Sequence, residues 1–178
     1  MALLVVFAGL PGSGKSVLAR GVAGAIGATY LRIDTIESAI TATLMPFQGN
    51  PVGYVVAEWV AADQLTGGRD VVADAVNGVA VARDGWVALA ARTGAALRFV
   101  EVWCSDAAEH RRRVETREAQ LPGQGLPTWD QVQRRRYEPW PPEHSGRLVV
   151  DNVGDPAGHV ARIVTELPAR GRGEARPA

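Results

Sequence analysis

Three observations predict an α/β protein built on a five-stranded parallel sheet. Short apolar runs alternate along the 178 residues with longer segments of helical periodicity, the order that parallel strands joined by crossover helices require. The first apolar run, Leu3-Leu4-Val5-Val6-Phe7-Ala8, passes directly into Gly9-Leu10-Pro11-Gly12-Ser13-Gly14-Lys15-Ser16, a full match to G-x-x-x-x-G-K-[ST] at a strand-to-helix turn. Lys15 is also the only lysine among 19 lysines and arginines.

The strands are expected at 3–8, 29–33, 70–74, 97–104 and 148–151. Each is a short run rich in Val, Leu or Ile. Helices are expected at 15–25, 35–43, 52–65, 79–92, 106–119, 128–137 and 156–167. Gly67-Gly68 and Gly94 mark helix ends, whereas Asp106 and Thr128 have the chemistry of N-caps. Leu121-Pro-Gly-Gln-Gly-Leu-Pro127 links two arginine-rich helices, so 106–137 reads as a lid on a domain spanning 1–167. The segment 168–178, rich in Pro, Gly, Arg and Ala, has the composition of a disordered tail.

Composition narrows the function classes. The 19 acidic residues balance the 19 basic ones, leaving no global field to draw the chain to nucleic acid or a membrane. A single cysteine, Cys104, excludes an intrachain disulfide and agrees with a reducing cytoplasm. No stretch reaches the ~18 apolar residues that span a bilayer.

The loop at 9–16 carries the most specific chemistry. Backbone N–H groups of Pro11's successors, Gly12, Ser13 and Gly14, with those of Lys15 and Ser16, form an anion cradle at the positive end of the following helix. Lys15 supplies a compact ammonium for the β- and γ-phosphates, where a planar guanidinium is too wide. The Ser16 hydroxyl is a Mg2+ ligand in such loops. Bound ATP or GTP with Mg2+ is therefore expected.

In an open parallel sheet, ligands bind beyond the carboxyl ends of the strands. Asp34, after the second strand, is placed as general base for an attacking hydroxyl, with a helix-capping role as the plain alternative. Asp74 ends the third strand in the manner of a metal-linked acid. Asn77 and Arg83 follow it and are candidates for substrate contact. Arg113 and Arg117, four residues apart, are expected on one helix face and able to close over the transferring phosphoryl group. Arg111, Arg112 and the second cluster, Arg134-Arg135-Arg136, read mainly as solvated. His110, His144 and His159 show no metal-ligand spacing and read as packing or surface residues.

On Gly9–Ser16, Ile33-Asp34, the run from Val72 to Asn77, Arg113-x-x-x-Arg117 and Pro127-Thr128-Trp129, the chain resembles the small P-loop kinases of the adenylate-kinase-like group. The likeness is to the family with chloramphenicol phosphotransferase-like, zeta-toxin-like and polynucleotide-kinase-like members. It implies a three-layer P-loop NTPase fold with a helical lid, ATP–Mg2+, Asp34 as base and Arg113 and Arg117 as lid arginines. It also implies that the loop around Asn152 and Asp155 borders the adenine. One departure matters: polynucleotide kinases of this group carry an arginine three residues after the catalytic aspartate, and this chain has Glu37.

Residues 35–68 contain no Lys or Arg but do contain Glu37, Glu58 and Asp63. Met45, Phe47, Tyr54 and Trp59 offer stacking surface there. The expected acceptor is thus a neutral or cationic hydroxylated small molecule, contacted by Asp34, Glu37, Tyr54, Glu58, Asn77 and Arg83. A polynucleotide 5′-hydroxyl kinase and a non-catalytic ATP-binding regulator are the competing expectations. A GTPase switch is excluded because its Asn-Lys-x-Asp motif needs a second lysine.

Overall fold

Each residue of β1 (Leu3–Ala8) is buried, so this strand has to lie at the centre of the sheet with both faces covered. A computed structural model describes residues 1–43, 51–121, 125–144 and 146–168 and places β1 there. Met45, Phe47 and the tail beyond Pro168 lie outside the described residues. The other strands are β2 (Thr29–Arg32), β3 (Val71–Asp74), β4 (Ala96–Trp103) and β5 (Leu148–Asp151), in the order β2-β3-β1-β4-β5 with every pair parallel.

Alternation along β1 builds the layers. Leu4 and Val6 face Trp86 and Leu89 of α4 (Ala80–Thr93) and Ala57 and Ala61 of α3 (Val52–Thr66). Leu3, Val5 and Phe7 face Leu18 and Val22 of α1 (Lys15–Ile26), with Ile163 of α7 (Pro156–Thr165) on the same side. The result is the three-layer arrangement expected, with five parallel strands. Among the described residues, no helix is long and apolar enough to cross a membrane.

The differences from the expected elements fall at the rim. α2 (Ile33–Thr43) begins on the residue after β2 ends, with no connecting loop. Asp34 consequently sits in the first helical turn, where the helix dipole favours its carboxylate. α5 (Ala107–Thr116) is capped by Asp106 as expected, its side chain accepting from the Glu109 N–H, but it stops three residues early. Arg117 leaves it in extended conformation (φ −70°, ψ 141°), so Arg113 and Arg117 do not share a helix face. α6 (Trp129–Gln133) has a complete capping box between Thr128 and Gln131 and ends before the arginine triplet.

After α6 the chain forms a strap down the α4 side of β4. The Tyr137 hydroxyl donates to Glu101 Oε1 at 2.9 Å, Arg147 Nε donates to Glu101 Oε2 at 2.7 Å, and Trp140 meets the Phe99 ring edge-on at 5.3 Å.

Candidate active site

The glycine loop bridges β1 and α1, and its shape is set from both sides. The Gly9 N–H donates to the Val76 carbonyl, tying the loop to the segment after β3. Gly12 (φ 83°) and Gly14 (φ 84°) occupy the left-handed region that favours glycine. A Cβ on Gly12 would also run into Val114 and His110, and one on Gly14 into the Asn152 amide. These glycines thus let α5 and the β5–α7 loop close on the outer side of the cradle. His110 Nε2 lies 2.8 Å from the Pro11 carbonyl oxygen and Asn152 Nδ2 donates to the Ser13 carbonyl at 2.9 Å.

Lys15 is 7% exposed, and no residue described makes a hydrogen bond or ion pair with its ammonium. An ammonium held in the loop with no protein partner is free to neutralise a phosphate, and its position fits that role. The Ser13 Oγ is likewise buried without a hydrogen-bond partner. Behind the loop, Leu10, Ser13, Val102, Cys104, His110 and Tyr137 line a cavity of about 260 Å³.

Asp74 pairs in register with Phe7 on one side and Arg32 on the other, placing it at the rim beside the loop. It is 1% exposed; Oδ2 accepts from the Tyr30 hydroxyl at 2.7 Å, whereas Oδ1 is buried with no partner. Burial first, and then Asp74 itself, pushes the Tyr30 phenol well above its usual range. An orphaned carboxylate oxygen is a donor that suits a hydrated divalent cation, so Asp74, with the Ser16 hydroxyl, fits Mg2+.

On the β2 side, Arg32 reaches Asp34 at 3.4 Å and donates to Gln120 Oε1 at 2.9 Å. Glu37 lies one turn beyond Asp34, against Gly53 of α3. Burial and, less strongly, the Asp34 charge raise its carboxyl to about 7, with Arg135 opposing. Tyr54 accepts a hydrogen bond from the Asn77 N–H at 3.3 Å, and burial is the main reason its hydroxyl is pushed up to about 12. Arg117 is half-buried near Asp34; burial lowers its pKa and the Asp34 charge opposes that.

Other expected contacts are not brought to this cleft. Asn77 is fully buried at φ 47°, its Nδ2 donating to the Phe7 carbonyl and its Oδ1 accepting from Trp86 Nε1. Arg83 is fully buried too, donating to the carbonyls of Asn77, Gly78, Glu138 and Pro139 and stacking 4.1 Å from the Trp140 centroid. Both are fully buried, and their side chains bond to groups of the fold itself. Glu58 packs against Gly85 on the α3–α4 face, and Trp59 is 71% exposed beside it. Asp155 caps α7 through the N–H groups of Ala157 and Gly158. Arg113 is engaged by Glu109 at 2.7 Å and the Asn152 carbonyl at 3.0 Å, so it braces the loop beside Gly14.

The expectation of an acceptor region without cations fails in space. Arg32 of β2 pairs with Asp34 at 3.4 Å, and Arg117 and Arg135 act electrostatically on Asp34 and Glu37 respectively. The charge preference drawn from residues 35–68 loses its ground with it. His110 is a packing histidine, as expected, and its packing supports the cradle: it lies against the Pro11 carbonyl and meets Trp129 edge-on at 5.2 Å. No spacing rule marks it.

The AAA domain family matches residues 4–139. Among curated proteins none matches. Similar solved structures include Chaetomium thermophilum Kti12 in complex with ADP-AlF3, at 18% identity over 92% of this chain and 96% of that chain (TM-score 0.67). A Mycobacterium tuberculosis APS kinase, in complex with AMPPNP and APS, is 19% identical over 92% of this chain and 96% of that one (TM-score 0.66). A sugar kinase from Janibacter sp. is 22% identical over 93% and 94% (TM-score 0.63). With a glycine loop, a rim aspartate and the strand order in place, the chain belongs to the AAA domain family and has the fold of the small P-loop kinases.

Proposed function

We propose that this protein is an ATP-dependent phosphotransferase that moves the γ-phosphate to a hydroxyl of a small molecule. The observation that carries the reading is Lys15: a largely buried side chain whose ammonium bonds to no described residue, inside a complete phosphate loop, on the same strand rim as Asp34. The similar structures with AMPPNP and ADP-AlF3 support a nucleotide at this loop, and the sugar and APS kinases support a small acceptor.

The roles follow from placement. Backbone N–H groups from Gly12 to Ser16 and the start of α1 hold the β- and γ-phosphates, and Lys15 neutralises them. Ser16 and Asp74 would hold Mg2+, which supplies charge neutralisation between the phosphates when bound. Asp34 takes the proton of the acceptor hydroxyl as its oxygen bonds to phosphorus and the bond to ADP breaks. Arg117, half-buried and near Asp34, stabilises the charge of the transferring group, while Arg113 acts from the nucleotide side. Asn152 and the loop that Asp155 ends border the adenine.

Asp34→Asn tests the assignment, with γ-labelled ATP and a panel of hydroxylated acceptors. Loss of transfer by ~10²–10⁴-fold with ADP affinity kept is the expected result. Turnover at the wild-type rate would remove Asp34 from the base position.

A further inference from the structure

α3 is apolar on two faces. Its inner residues Ala57, Ala61 and Leu65 are buried in the core on the α4 side of the sheet. The outer side of such a helix should be polar, yet Val55 (38%), Val56 (36%), Trp59 (71%) and Val60 (38%) are exposed there. Spacing of three and four residues, from Val55 and Val56 to Trp59 and Val60, makes them one contiguous stripe. Scattered surface valines need no explanation, whereas a stripe centred on a tryptophan marks a contact surface. Beside Trp59 the surface between α3 and α4 sinks into a groove of about 520 Å³, lined by Glu58, Trp59, Ala62, Asp63 and Arg92. Among the described residues, no hydrogen bond or ion pair engages the Trp59 indole N–H, the Glu58 and Asp63 carboxylates or the Arg92 guanidinium. Arg92 reaches Glu58 through its field alone.

We propose that this face is the interface of a homodimer, with a second copy of the chain seated on α3 and α4 about a two-fold axis. Knob and groove lie side by side on one surface of one chain, which is the self-complementarity that an isologous contact requires. An axis passing beside Trp59 lets each indole enter the groove of the other copy. The groove's chemistry suits an indole: its carboxylates accept from the ring N–H, and its guanidinium stacks on the ring face. Its charges match as well, because it holds both signs and the two-fold brings each Arg92 to the acids of the other copy. The flanking valines close over the contact and exclude water. The chain's own tail is a poorer occupant, since residues 168–178 contain no large apolar side chain and α7, which leads into them, packs on the opposite side of the sheet. This inference is independent of the phosphotransfer reading.

Sedimentation velocity over a concentration series reads the assembly of the full chain against the 18.9 kDa of one copy. Wild type should sediment as a dimer at micromolar concentration. Trp59→Ser, at an exposed position, should raise the dimer dissociation constant tenfold or more, the scale of an interface hot spot. Arg92→Glu and Asp63→Arg should each weaken the homodimer through like charges. Mixed together, those two chains should form a heterodimer tighter than either homodimer, an effect that a purely intramolecular role of the two residues would not produce. Folding is checked by far-UV circular dichroism, and Trp59→Gln is the second variant should Trp59→Ser lose its helical signal. A wild type that is monomeric at every concentration overturns the proposal and leaves the stripe to a partner of other chemistry. A dimer that neither Trp59 variant weakens overturns it too, and swapped chains that do not prefer each other overturn the two-fold pairing.

Discussion

Glu37 is a carboxyl held near neutrality by its place between α2 and α3, with burial the larger cause and Asp34 the smaller. Its folded value, about 7, is above the ordinary 4.5, so the folded state holds the proton more tightly than the unfolded chain. The linked stability is fully present below pH ~4.5 and is lost as pH rises through ~7. Glu37→Gln should flatten that part of the stability profile, as measured by urea unfolding at a series of pH values. An unchanged slope would show that Glu37 is solvated in the folded protein. Lys15 leads to an opposite kind of expectation. Because its ammonium bonds to no described residue, Lys15→Met should not destabilise the ligand-free protein while abolishing the thermal shift caused by ADP. Loss of both stability and binding would mean that the ammonium has a structural partner.

At the scale of elements, Arg83 is the contact that matters most outside the cleft. It joins the start of α4 to the strap through four backbone carbonyls, and truncation would leave those acceptors buried and unpaired. Arg83→Leu should cost about 3 kcal/mol or more in denaturant unfolding, with ADP affinity of the folded fraction unchanged. A weaker ADP affinity at full stability would restore it to the site. The five strands were legible because each is a short, largely apolar run bounded by a glycine or polar turn, and burial of β1 on both faces follows from its uninterrupted apolarity. The glycine loop was legible because its chemistry is local: every group that makes the cradle lies within eight consecutive residues. Asn77, Arg83 and His110 were not, since their partners lie 70, up to 56 and 99 residues away. The early end of α5 at Thr116 was equally hidden, because helical propensity runs on through Glu118 and only tertiary contacts draw Arg117 aside.

For the whole molecule, the parallel order β2-β3-β1-β4-β5 puts the loop, Asp34 and Asp74 on one rim, so ligand and fold share their stability. ADP with Mg2+ at 100 times its dissociation constant should add about 2.7 kcal/mol to the folded state, read as a rise in Tm. Chelating the metal should remove most of that gain if Asp74 and Ser16 hold it, and Asp74→Asn should make the shift insensitive to chelator. A metal-independent shift would assign the orphaned Asp74 oxygen to another partner. Balanced total charge, 19 acidic against 19 basic residues, coexists with a local surplus of arginine around the base, so attraction at this cleft should weaken with salt only over short distances.

The cavity behind the glycine loop holds the chain's only thiol, Cys104, which donates to the Asp106 carbonyl at 3.4 Å. Cys104 is largely buried there, so movement of the loop away from the end of β4 should speed a reagent's access to it. The wild-type protein thus carries a built-in chemical reporter: the rate of alkylation at a single atom, followed by intact mass, measures how often the cradle opens. Nucleotide should slow the reaction without any introduced label. An equal rate with and without ADP would mean that the opening is independent of the phosphates.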